Sequence, residues 1–259
     1  MRLINVKSIM VLLTSILLFA SQVSGAEITV MTSGAFTAAH LALIPQVERV
    51  TNHKIVTAAT GMGTGANFIP TRLQRGERAD VVIVASDALD DMIKQGTIVA
   101  GSRVDLARSS IGLAVRTGAP KPDISSVDAL KRTLLNAKSI AYSASVSGDY
   151  LSTELFQRLG IAEQVKSKSR KIERERVGAV VARGEAEIGF QQISELLPIA
   201  GIDYVGPLPP EVQRVTVFSA GLASSAREPA AARVLITFLV SPAADSAIRK
   251  SGMEPVTSR

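Results

Sequence analysis

The stretch "AATGMGTGANFI", beginning at Ala58, sets Gly61, Gly63 and Gly65 at alternate positions just ahead of residues able to open a helix. Glycines so placed let backbone N–H groups approach an anion closely, and a helix start adds partial positive charge. Neither nucleotide motif fits. A P-loop needs Lys and Ser/Thr directly after its last glycine, where Ala66 and Asn67 stand, and the dinucleotide spacing G-x-G-x-x-G is missing. An anion cradle without a nucleotide remains, beside a plain flexible turn. Thr32-Ser33-Gly34, Ser145-Val146-Ser147-Gly148 and Gln191-Gln192 also put small or polar residues after apolar runs. The first two of these, like the glycine loop, lead into helix starts. Unpaired N–H donors converging from several helix starts make an anion site that needs no basic side chain. Ser, Thr and Gly are also ordinary caps and turn residues, so one such loop alone carries little.

Alternating strands and helices must position these loops. "EITV" opens the first strand, and a helix follows over 36–51. "HKIVTAAT" gives a second strand and 68–75 a second helix, then the apolar "ADVVIVAS" a third strand, as expected when both faces are covered. "DALDDMIKQG" reads as a helix capped at Ser86 or Asp87 and stopped at Gly96. This βαβαβα order predicts an α/β fold with mostly parallel sheets flanked by helices. The alternation restarts at "AKSIAYSA", with a helix capped by Ser147 and closed at Gly160, a helix in "RVGAVVARGEA" and a strand in "EIGFQQI". A closing helical tail spans 228–251. Strands over 111–116 and 215–220 fall where the chain crosses between two lobes. The predicted division is 26–110 with 220–259 as one lobe and 111–219 as the other. Ligands of open sheets sit beyond the carboxyl ends of the strands, where the four loops lie.

Residues 1–25 carry Arg2 and Lys7, an apolar run and Val23-Ser24-Gly25, the pattern of a secretory signal peptide cut before Ala26. The expected product is a periplasmic protein. With no Cys, the 259-residue chain has no disulfide and no lipidated cysteine. The net charge of +6 becomes +4 without Arg2 and Lys7, and the basic residues are spread out. Lacking an aromatic-basic platform, the chain is not expected to bind nucleic acid. Steering of a small anion fits this mild excess. Tryptophan is absent, which disfavours a stacked sugar. The two histidines, His40 and His53, without Cys predict no metal site and no cofactor. His40, in "FTAAHLALIPQVE", reads as a helix-surface residue rather than a general base. A monomer is expected.

"ITVMTSG", "LQRGERADVVIVAS", "YSASVSGDYLSTELFQRLGI", "RVGAVVARGEAEIGF" and "ITFLVSPAADSAIRKSGMEP" together resemble the periplasmic molybdate-binding proteins of ABC importers and their wider group. The likeness runs over nearly the whole chain after the leader. It implies a two-lobed, hinged periplasmic-binding-protein fold of type II that closes on an oxyanion, with an inner-membrane ABC permease as partner. The family's ligand positions fall at Ser33 or Gly34, at Gly63, Thr64 and Gly65, at Ser147 and Gly148, at Arg176-Val177 and at Gln192. This chain departs from the molybdate pattern. It has "TSGA" for a Ser-Ser pair, a glycine-rich second loop, and "FQQI" where the family places a tyrosine. Arg176 reads equally as a ligand arginine, which recognises a carboxylate through two parallel bonds, or as a solvated residue at the end of "RKIERER", and Gln191 and Gln192 add amide donors. These departures from the family favour capture of a di- or tricarboxylate over molybdate. The same group includes periplasmic aconitate isomerases, so an isomerase is the alternative. It needs only a positioned base, with Asp149 and Tyr150 as candidates and Glu175 beside them. A hydrolase is disfavoured, since no G-x-S-x-G elbow occurs.

Overall fold

The computed structural model describes residues 25–58 and 68–256. Residues 1–24 of the leader, and the glycine loop with Gly63, Thr64 and Gly65, lie outside the described residues. In the first lobe β1 (Glu27–Thr32) pairs in parallel with β2 (Lys54–Ala58) on one side and β3 (Val81–Ala85) on the other. All five residues of β3 are buried, as a strand covered on both faces requires. Over one face lies α1 (Gly34–Thr51), which turns Phe36, Ala39, Leu43 and Val47 inward at helical spacing. Full burial of a Phe or Leu stabilises by about 1.5–3 kcal/mol. The helix ends at Asn52 in the left-handed conformation (φ 57°), a common stop. After the short α2 (Ile69–Gln74), α3 (Ser86–Lys94) packs Leu89 and Met92 against Met31, Val82 and Val84 on the opposite face.

From β4 (Val104–Ser109) the chain passes through Ser110 alone into β5 (Ile111–Arg116) and a second sheet. This second lobe contains α4 (Val127–Asn136), β6 (Ile140–Ser143), α5 (Val146–Tyr150), α6 (Phe156–Arg158), α7 (Ala162–Lys166), β7 (Ser169–Ile172), α8 (Val177–Ala182), β8 (Ile188–Gln192), α9 (Ile193–Leu196) and β9 (Ile202–Pro207). Its strand order is β7-β6-β8-β5-β9, over a core that includes Leu113, Leu130, Leu155, Phe156 and Phe190. The chain then returns to the first lobe as β10 (Thr216–Leu222), followed by α10 (Pro229–Leu239), α11 (Pro242–Lys250) and β11 (Glu254–Pro255). The first sheet reads β11-β4-β10-β3-β1-β2.

The two-lobed α/β architecture agrees with the sequence. Strand direction needs correction, because both sheets are mixed. Beside the parallel pairs, β10 runs antiparallel to β3 and β4, and β5 runs antiparallel to β8 and β9. Each crossing between lobes brings in a strand from the opposite end. The whole of β10 belongs to the first sheet, so a division at 219/220 cuts a strand. The closing tail is two helices bent by 67°, not one. Ser241, extended at ψ 156°, precedes Pro242, and proline disfavours helical backbone in the residue before it. The cap of α5 is Ser145 rather than Ser147, and a π-helical turn over Leu151–Leu155 links α5 to α6 before Gly160 (φ 64°) ends the run.

Candidate functional site

A cleft of about 180 Å³ opens between the lobes, with strand ends and helix starts of both on its walls. The first lobe contributes Ser33, Gly34 and Ala35 at the start of α1, with Ala85 at the end of β3 and Phe68 at the edge. Ser33 donates its N–H to the Ile83 carbonyl (2.8 Å), which ties the loop to the sheet. The Ser33 carbonyl accepts from the Phe36 N–H (3.2 Å) and the Thr37 hydroxyl (2.9 Å). Its Oγ caps nothing and is buried without a partner among the described residues. A buried hydroxyl left unpaired costs free energy until a ligand bonds it.

From the second lobe come Ser143, Ser145 and Val146, where β6 feeds α5. Ser143 Oγ lies 2.7 Å from Ser145 Oγ and 3.0 Å from Ser147 Oγ, a cluster whose hydroxyls satisfy one another. Ser147 and Gly148 do not line the cleft. Gly148 serves close packing: a Cβ there would stand 1.7 Å from the Ser143 carbonyl oxygen. Gln191 and Gln192 end β8 fully buried on the cleft wall. Gln191 Oε1 accepts the Val177 N–H (2.9 Å) at the start of α8, so its Nε2 donor is the end left over, and it has no hydrogen-bond partner among the described residues. Gln192 Nε2 meets the Thr216 hydroxyl at 3.2 Å, leaving Oε1 unpaired. A hydroxyl both donates and accepts, so either end of the Gln192 amide can face a ligand.

Arg176, half-buried at the N-cap of α8, is not on the cleft wall. Its charge reaches Glu195, a residue the sequence reading missed. Glu195 sits on α9, lines the cleft and is 5% exposed. Burial pushes its carboxyl from 4.5 up to about 7, against the opposing pull of Arg176 and of the Gln191 amide. That amide is close enough to favour the carboxylate, yet falls short of hydrogen-bond geometry. The one sequence signal was an acid set in the apolar run "ISELL".

Other acids and bases are already engaged. Asp149 lines the cleft but is exposed and pairs with Lys171 (2.6 Å). Glu175, also on the wall, takes a two-pronged bond from Arg183 (2.8 Å each), which holds its carboxyl below the usual range. Tyr150 lies in the second lobe's core, away from the cleft wall, where its hydroxyl donates to the Val212 carbonyl (2.7 Å) and accepts from Arg158 (3.2 Å). His40 is not a surface residue. It is 1% exposed, meets Thr57 Oγ1 at 2.9 Å, and burial lowers its ring from 6.5 to about 4.

Residues 28–254 match the family of bacterial extracellular solute-binding proteins. The chain belongs to this family. Over 233 residues, 90% of this solute-binding protein and 89% of its relative, it is 46% identical to an aconitate isomerase of a Pseudomonas species. The periplasmic molybdate-binding protein of Azotobacter vinelandii superposes with a TM-score of 0.68 at 20% identity, covering 90% of this chain and all of that one. The substrate-binding domain of a putative molybdenum ABC transporter from Clostridium difficile gives 0.67 at 18% identity, with the same coverage. Those two likenesses establish the type II periplasmic-binding-protein fold of this solute-binding protein and nothing about its ligand.

Proposed function

We propose that this solute-binding protein is a periplasmic enzyme that holds a tricarboxylate between its lobes and interconverts cis- and trans-aconitate. The observation that carries the reading is the 46% identity with an aconitate isomerase over nearly the full length of both chains. The cleft chemistry supports it. Among the described residues Ser33 Oγ and Gln191 Nε2 are buried donors without partners, and Gln192 offers either end of its amide. The Arg176 charge acts on Glu195 of the cleft wall. Neutral donors spread over two lobes suit carboxylates several carbons apart. Incubating the chain from Ala26 onward with trans-aconitate, and separately with cis-aconitate, tests the proposal. Proton NMR is expected to show both reaching one mixture, and two unchanged solutions would refute it.

A second reading, capture of a carboxylate for an inner-membrane ABC permease, is favoured by the family and by the two-lobed fold shared with the molybdate-binding protein. It predicts calorimetric binding of citrate or aconitate without turnover, and weak or no heat with molybdate.

A further inference from the structure

We infer that Glu195 is the catalytic base of this cleft, carrying a proton from one carbon of the bound tricarboxylate to another. The inference rests on the isomerase reading and adds the group that performs the reaction. Among the described residues, three acids line the cleft: Asp149, Glu175 and Glu195. The first two are exposed and held by Lys171 and Arg183, whereas Glu195 is in no ion pair among the described residues. A carboxylate tied to a cation is a poor base. A largely buried carboxyl with no cation bound to it is a better one.

The position of α9 strengthens the assignment. This short helix follows directly from Gln192 and packs on α1 of the other lobe. Ile193 and Leu197 crowd Gly252, where a Cβ would stand 2.9 and 2.7 Å from their side chains. Glu195 is thereby held on the cleft wall by a helix packed against both lobes, and joined in sequence to the Gln191 and Gln192 amides. Arg176 at the start of α8 is the charge that acts on it, Asp149 and Glu175 line the same cleft, and His40, on the α1 helix that α9 packs against, is kept neutral by burial above about pH 4. Burial brings the Glu195 carboxyl to about 7, where a base both ionises and retains proton affinity at neutral pH.

The step balances without a cofactor. The Glu195 carboxylate takes a proton from the methylene carbon of aconitate, and that C–H electron pair becomes a new carbon–carbon double bond. The old double bond's pair moves to the former vinylic carbon, which takes the proton back from the Glu195 carboxyl. Composition is unchanged, and the geometry of the double bond is set anew. Charge spread through the allylic anion into a substrate carboxylate faces the Gln191 Nε2 donor, oriented because its Oε1 holds the Val177 N–H.

Glu195→Gln tests the assignment against three readouts: isomerisation, exchange of the aconitate methylene proton in D2O, and calorimetric binding of the saturated analogue propane-1,2,3-tricarboxylate. Expected are a loss of kcat and exchange of roughly 10²–10⁴-fold with the analogue bound within about threefold of wild type. Wild-type kcat/KM should rise with pH along a limb centred near 7. A Glu195→Gln enzyme within tenfold of wild-type kcat overturns this inference and leaves the isomerase reading intact. A wild-type protein that binds the analogue but neither isomerises nor exchanges overturns both. Should Glu195→Gln fail to fold, Glu195→Asp decides. Lower kcat with a displaced pH limb supports the role, and unchanged kcat with an unmoved limb overturns it.

Discussion

The Gln213 side chain closes both backbone groups of Ile111: Oε1 accepts the Ile111 N–H at 2.9 Å, and Nε2 donates to the Ile111 carbonyl at 2.9 Å. One residue just ahead of β10 thereby clamps the first residue of β5, joining the two segments that cross between the lobes. Ile111 is fully buried, and its carbonyl also accepts from the Leu208 N–H. Truncation of Gln213 leaves chiefly the N–H unpaired. Gln213→Ala is expected to lower stability by about 1–3 kcal/mol in urea denaturation.

Gln191 separates two roles that one substitution can distinguish. Gln191→Glu keeps an acceptor for the Val177 N–H but replaces the free donor by an acid facing the ligand. Binding of propane-1,2,3-tricarboxylate at pH 8 is expected to weaken by about 10–100-fold, the scale of one charge-assisted hydrogen bond. Calorimetry reads the loss.

Glu195 and His40 impose opposite pH dependences on stability. Glu195 has its folded pKa raised from 4.5 to about 7, so its contribution is full below 4.5 and lost as pH rises through 7. His40 has its folded pKa lowered from 6.5 to about 4, so its contribution is full above 6.5 and lost as pH falls through 4. Each is worth at most roughly 3 kcal/mol. Between 4.5 and 6.5 the two slopes oppose and largely cancel. Urea midpoints of Glu195→Gln should rise from pH 4.5 to 6.5, exposing the His40 slope. His40→Gln should show the reverse.

Gly148 stands against the Ser143 carbonyl so closely that no side chain fits. Gly148→Ala is expected to push α5 off β6, with a cost of about 1–3 kcal/mol or more and a lower Tm by differential scanning fluorimetry. The Ser143, Ser145 and Ser147 hydroxyl cluster should be disrupted with it.

Local patterns carried the architecture further than the site. The continuous apolar run of β3, the helix stops at Gly96 and Gly160, and the polar strand ends at Ser33 and Gln191-Gln192 are short-range features, and each is legible in the chain itself. The antiparallel strands are not, because β10 reaches its neighbours β3 and β4 from over a hundred residues away. Glu195 escaped notice for the same reason. The helix that carries it, α9, packs against α1 and beside Gly252, both from the other lobe. Tyr150 and His40 show the converse, polar residues in helical stretches whose partners, Val212 and Thr57, are set by tertiary packing.

The place of β10 between β4 and β3 also bears on how the protein comes into being. Everything the second lobe needs is made between Ile111 and Gln213, so it can complete itself while synthesis continues. The first lobe starts earlier and finishes later. Until the last forty or so residues arrive, β4 has no neighbour linking it to β1, β2 and β3, and the half that leads the nascent chain is the half that must wait.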